Sequence, residues 1–176
     1  MEIGLIQVYC GEGKGKTTAA IGQGIRATGK GLKVIMIQFL KGGLSGELKT
    51  LSKLEPDFKV FRFEKARGFF NELTPTEKNE LKMEISNAMK FARKVFDTKE
   101  CELLILDEIL GVVENQLVTE DELLTFLMSK PQGMELVLTG RKLPEAFKDH
   151  VDYISEIQSV KHPYEKGIGA REGIEY

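Results

Sequence analysis

Along the chain, short apolar runs alternate with segments whose apolar residues recur every three or four positions. Near the start, "IGLIQVY" reads as a strand, and the stretch from Lys16 to about Thr28 reads as a helix that Gly29 and Gly31 end. "KVIMIQF" is apolar almost throughout, as a parallel strand covered on both faces requires. "GELKTLSKL" predicts a short helix and "FKVFRF" another strand. "TPTEKNELKMEISNAMKFARKVF" opens with Thr74 as N-cap, Pro75 in the first helical position and Glu77 as capping-box partner. Leu81, Ile85, Met89, Ala92 and Phe96 then recur at helical spacing and mark a buried stripe. "LLILDE" is a strand ending in two acids. Thr119 with Glu122 caps a further helix, "ELVLTGR" supplies the next strand, and a short helix is expected from Leu143. "DYISEI" is the last strand, and a turn-rich tail follows from about residue 159.

This alternation predicts an α/β fold, a three-layer, mostly parallel sheet with helices on both faces and right-handed crossovers. The class is that of phosphate-loop NTPases, RecA-like in arrangement. In such sheets ligands bind beyond the carboxyl ends of the strands, where Cys10, Lys41, Asp107, Glu108 and Arg141 are all expected to emerge. With 176 residues and no linker or repeat, the chain reads as one nucleotide-binding domain spanning 1–176.

Composition narrows the partners. Apolar residues make up 41% and charged residues 30%, yet the formal net charge is only −2, so no nucleic-acid or membrane surface is advertised. The apolar runs are far shorter than the roughly 20 residues of a spanning helix, and the chain enters its first strand without a basic leader. A cytoplasmic protein is expected. Cys10 and Cys101 form no Cys-x-x-Cys and His150 and His162 no zinc-type spacing, so reduced thiols are the simpler reading.

The densest chemistry lies in "YCGEGKGKTTAAIG". The strict phosphate-loop pattern needs glycine at position 10, where this chain has Cys10. The physical requirements are still met, because Gly11, Gly13 and Gly15 allow consecutive backbone N–H groups to turn inward around an anion. The following helix adds its positive end, Lys16 a point charge, and Thr17 a hydroxyl for magnesium. Asp107 and Glu108, at the end of a buried strand, can hold that ion directly or through water. Arg141 in "LTGR" can reach a terminal phosphate with its planar fork, or stand as a surface arginine. No nucleophile for phosphoryl transfer is marked. On the motifs alone, a phosphate-loop ATPase, a small-molecule kinase, a nucleotide sensor and a transferase that discards triphosphate all remain open.

Several stretches together resemble one family. "CGEGKGKTTAAIG", "RATGKGLKVIMIQFLKG", "LLILDEI", "LVLTGR" and "VKHPYEKGIGAREGIEY" look like the ATP:corrinoid adenosyltransferases, and the resemblance runs from the first strand to the last residue. The tail is its most specific part, and the displaced first glycine fits the family too. The resemblance implies transfer of the 5′-deoxyadenosyl group of ATP to the Co(I) of cobalamin or another corrinoid, with release of triphosphate. Cobalt is then the nucleophile, which accounts for its absence from the protein. The resemblance places Gly11, Glu12, Gly13, Lys14, Gly15, Lys16, Thr17, Thr18 and Lys41 at ATP. It places Thr17, Asp107 and Glu108 at Mg2+ (or Mn2+), and Lys16, Glu108 and Arg141 in the catalytic set. It further implies a homodimer and a flavoprotein electron donor.

On the corrinoid side the family carries Gly-Phe-x-Trp before the long helix, and this chain reads Gly68-Phe69-Phe70-Asn71. Gly68, Phe69 and Phe70 are the expected corrinoid contacts, with Asn71 in the tryptophan position. The alternative is that these phenylalanines pin the loop to the core. Many members also carry a helical extension before the first strand, to which nothing here corresponds. Glu47 and His162 match recurrent family positions whose roles the residues do not state, and for His162 a structural turn histidine is the alternative.

Overall fold

The computed structural model describes every residue except Met1, Gly42, Leu44, Phe69 and Tyr176. Six strands, β1 (Ile6–Cys10), β2 (Val34–Gln38), β3 (Phe58–Arg62), β4 (Leu103–Asp107), β5 (Glu135–Thr139) and β6 (Tyr153–Glu156), form one sheet in the order β3-β2-β4-β5-β1-β6. All five pairings are parallel, where a mostly parallel sheet was expected.

The interior strands β2 and β4 are buried at every position, which explains why their sequences are continuous apolar runs rather than alternating ones. Successive side chains still point to opposite faces. Val34, Met36, Leu103, Ile105 and Val137 pack with Ala20 and Ala27 of helix α1 (Lys16–Thr28) and Leu51 of α2 (Gly46–Leu51). Ile35, Ile37, Leu104, Leu106, Leu136 and Leu138 face the other way. They meet α3 (Pro75–Thr98), α4 (Ile109–Glu114) and α5 (Glu120–Met128). Three layers result, as predicted.

Both capping boxes form: Thr74 and Thr119 each accept the N–H of the glutamate three residues on, whose carboxylate returns to the cap's N–H. The stripe of α3 is buried at Leu81, Ile85, Ala92 and Phe96, while Met89 is only partly buried and Ala88 and Val95 complete the contact. Two details differ from expectation. The segment after Leu143 is a 3-10 helix, Glu145–His150, with Pro144 at its N-cap. The strand "LLILDE" ends at Asp107, and Glu108 is the N-cap of α4, a helix that the apolar run concealed.

The sheet order sets the site. β5 lies between β1, which leads into the glycine-rich loop, and β4, which ends in Asp107. The carboxyl ends of β1, β2, β4 and β5 therefore open on one edge.

Candidate functional site

The loop between β1 and α1 is bent by glycine where nothing else fits. Gly11 has φ 101°, and a Cβ there would lie 2.5 Å from the Ile157 carbonyl oxygen. Gly15, at the N-cap of α1, has φ 118°. Its ends are tied down: the Gly11 N–H donates to Arg141 O at 2.8 Å and the Gly13 N–H to Ile157 O at 2.7 Å. Among the described residues no main-chain carbonyl accepts from the N–H groups of Lys14, Gly15, Lys16, Thr17 or Thr18, and Ala19 is the first to bond within the helix. Five consecutive donors at the positive end of a helix make an anion cradle. Lys16 Nζ donates to Gly11 O at 2.7 Å and Gly13 O at 2.8 Å, which holds the ammonium across the loop with a third proton to give.

Asp107 stands directly behind this loop, at the end of β4. It is fully buried, and both oxygens are engaged. Thr17 Oγ1 and Thr139 Oγ1 donate to Oδ1 at 2.9 and 2.7 Å, while Lys41 Nζ and Gln38 Nε2 donate to Oδ2 at 2.5 and 3.2 Å. Lys41 Nζ also donates to Thr17 Oγ1 at 2.9 Å. Residues from β1–α1, β2, β4 and β5 are thus brought onto one carboxylate, and Arg62 of β3 joins through Nε to Gln38 Oε1 at 2.7 Å. A buried carboxylate is tolerated because four donors replace its water.

Glu108 differs from its neighbour. Its backbone is left-handed, φ 65°, and its N–H donates to Thr139 Oγ1 at 2.7 Å, so the side chain is swung away from the strand. Such a conformation costs a non-glycine residue about 1–3 kcal/mol and is kept where its surroundings impose it. No hydrogen bond reaches the Glu108 carboxylate among the described residues. Burial, and then the charge of Asp107, push its carboxyl above the usual range, against Lys41, Lys16 and Arg141.

Thr17, Lys41 and Glu108 open on a cleft of about 1300 Å³, larger than the roughly 300–1,000 Å³ of an ordinary small-molecule pocket. Glu12, Thr17, Thr18, Lys41, Glu108 and Arg141 form one side; Arg62, Glu64, Arg67, Gly68, Phe70 and Asn71 form the other. Arg141 emerges after β5 with Nη1 3.6 Å from Glu12 Oε2, largely in solvent. On the far side, Arg67 braces the loop before α3 on Glu80 at 3.0 Å and on Glu84. Phe70 packs on the core beneath the Lys78 ammonium, 5.0 Å from the ring centre, so this phenylalanine pins the loop as well as lining the cleft. Phe69 lies outside the described residues. Glu47 lines the cleft. His162 accepts the Tyr164 N–H at 3.2 Å and caps a short 3-10 turn, the structural role.

Sequence reasoning missed Gln38, Thr139, Arg62, Glu64 and the tail. Gly173, Ile174 and Glu175 reach the cleft, where Glu175 pairs with Arg171 at 3.0 Å and approaches Lys14 at 3.9 Å. A usable signal existed for two of them: Gln38 and Thr139 are polar residues ending otherwise apolar strands.

With this geometry established, relatives can be compared. The sequence model of the family described as ATP:corrinoid adenosyltransferase BtuR/CobO/CobP matches residues 2–176. The corrinoid adenosyltransferase of Escherichia coli (strain K12) is 31% identical over 176 residues, covering 99% of this chain and 87% of the relative. Corrinoid adenosyltransferase CobA of Salmonella typhimurium is 32% identical over 177 residues, with the same coverage. The Pseudomonas aeruginosa enzyme is 30% identical over 175 residues, covering 99% of this chain and 85% of its own length.

Proposed function

The chain belongs to the ATP:corrinoid adenosyltransferase family and is a corrinoid adenosyltransferase, and we propose that the cleft described above is where it works, as follows. The enzyme transfers the 5′-deoxyadenosyl group of ATP to the Co(I) of a corrinoid and releases triphosphate. The free N–H groups of 14–18 and the Lys16 ammonium receive the triphosphate, with Lys14, Thr18 and Arg141 around it. The electron pair that leaves the ribose 5′-carbon comes to rest on this polyanion, so preorganised donors there stabilise the transition state directly. Cobalt brings its own electron pair, and the protein's remaining task is alignment.

The donor set suits a magnesium ion: the Thr17 hydroxyl, the Glu108 carboxylate that no hydrogen bond occupies, and Asp107 behind them are hard oxygens. Magnesium is commonly held by one or two carboxylates plus substrate phosphates. When bound, the ion would neutralise phosphate charge; Thr17 and Glu108 would hold it, and Asp107 orients Thr17 and Lys41.

The corrinoid enters on the side of Gly68 and Phe70. Within a single nucleotide-binding domain, this puts the two substrates on facing walls of one cleft. The exposed β6, with Tyr153 and Ile154, and the tail residues Val160 and Tyr164 offer the apolar surface for a homodimer. A flavoprotein is the class of donor suited to reducing the corrinoid. No helix among the described residues is long and apolar enough to cross a membrane, and Cys10 and Cys101 are free and buried, which suits a cytoplasmic setting.

The observation that carries the reading is the row of N–H groups at 14–18 that no main-chain carbonyl among the described residues accepts from, set beside the Thr17–Asp107 pair. Incubation with ATP, magnesium and chemically reduced cobalamin tests it. Phosphorus NMR should show triphosphate as the visible spectrum reports a cobalt–carbon bond; ADP and phosphate with an unchanged corrinoid would overturn it.

A further inference from the structure

Glu64 is a half-buried carboxylate just past β3 that none of the steps above employs. It faces Arg62, Arg67 and Glu84, and its Oε1 accepts the Leu40 N–H at 2.9 Å. Leu40 is left-handed, φ 54°, a conformation that a leucine holds only where its surroundings impose it. The preceding N–H, of Phe39, donates to Asp107 O at 2.9 Å, so two successive amides are held from the two sides of β2, by the end of β4 and by the segment after β3. The kink redirects the chain leaving β2, and the next side chain, Lys41, reaches Thr17 Oγ1 at 2.9 Å and Asp107 Oδ2 at 2.5 Å.

We propose that Glu64 is a positioning residue: by holding the Leu40 N–H it fixes the turn that aims Lys41 at the phosphate side, and it ties that turn to the loop carrying Gly68 and Phe70. This rests on the placement of Lys41 in the ATP site given above. An alternative protein acceptor for the Leu40 N–H is not among the described contacts, and losing the acceptor from this half-buried donor removes what holds the left-handed turn. The corrinoid-side loop and the cation on the ATP side thereby share one hydrogen bond, so a change in one wall is felt at the other.

The test measures kcat/KM for ATP, with reduced cobalamin saturating, in Glu64→Ala, Glu64→Gln, Lys41→Ala and the Glu64→Ala/Lys41→Ala pair. Hydrogen exchange of the Leu40 amide is followed in each. Glu64→Ala should lower kcat/KM about tenfold and speed exchange at Leu40. Glu64→Gln, whose amide oxygen still accepts, should recover most of both. Added to Lys41→Ala, Glu64→Ala should cost little more, because the two act on one interaction. Equal losses in the Ala and Gln variants, unaltered exchange at Leu40, or fully additive losses would overturn the inference alone. Wild-type kcat/KM in Lys41→Ala would instead overturn the assignment of Lys41 to the ATP site, and the functional part of the inference with it.

Discussion

The two walls of the cleft are built differently. The wall made by Glu12, Thr17, Thr18 and Lys41 is backed by the rest of the glycine-rich loop and by Asp107, which is fully buried and engaged by four donors drawn from neighbouring strands. The wall made by 64–71 is a loop ahead of α3, held by Arg67 on two glutamates and by one phenylalanine set into the core. Phosphate is a small, fixed shape, and a preorganised ring of donors recognises it. A macrocycle presents a wide face, for which large apolar side chains on an adaptable loop are suited. In the proposed function the first wall takes the electrostatics of the triphosphate and the second takes the bulky substrate.

The contrast can be broken or sharpened by variants. Lys16→Ala should have the largest effect, lowering kcat by about 10²–10³-fold, the scale of removing one preorganised donor, or roughly 3 kcal/mol. Single-turnover kinetics will show this, and near-normal transfer would take the loop out of the chemistry. Asp107→Ala comes next: it strands the Lys41 ammonium and three further donors, and should lower urea stability by about 3 kcal/mol, more than any single change within 64–71.

Between the walls, Glu64 predicts a pH effect. Burial raises its carboxyl to about 7, against the Leu40 N–H and with Glu84 adding to the rise. A folded-state pKa above the unfolded value means that the folded protein binds the extra proton. The associated stability is full below about pH 4.5 and is lost as pH rises through 7. Glu64→Gln should flatten that slope, a difference of roughly 2 kcal/mol at pH 8 by urea titration. An unchanged slope would show that Glu64 is ionised throughout. Asn71→Trp should have the smallest effect, leaving transfer intact or improving it, as a corrinoid titration followed by absorbance will show. A large loss would mean that this loop has no room for the family's aromatic residue.

The same contrast governs what could be read in advance. The glycine-rich loop, both capping boxes and the acid pair were legible because each depends on residues close in sequence. Gln38, Thr139 and Arg62 were not, since their meaning lies in converging on Asp107 from other strands, and only the sheet order reveals that. Helix α4 was hidden because "LLILDEIL" is apolar on both sides of its acids, and the left-handed turn at Glu108 that separates strand from helix has no glycine to announce it. Glu64 and Glu175 sit in segments without periodicity, so nothing local distinguishes them from solvated acids.

The central claim is that carbon, not phosphorus, is attacked while the first wall holds triphosphate. ATP labelled with heavy oxygen at the bridge between the ribose 5′-carbon and the α-phosphorus tests it directly, using mass spectrometry of the products formed with reduced cobalamin. The account predicts that the label leaves in triphosphate, because the carbon–oxygen bond breaks. Label retained on a nucleoside product would place the attack at phosphorus and contradict it.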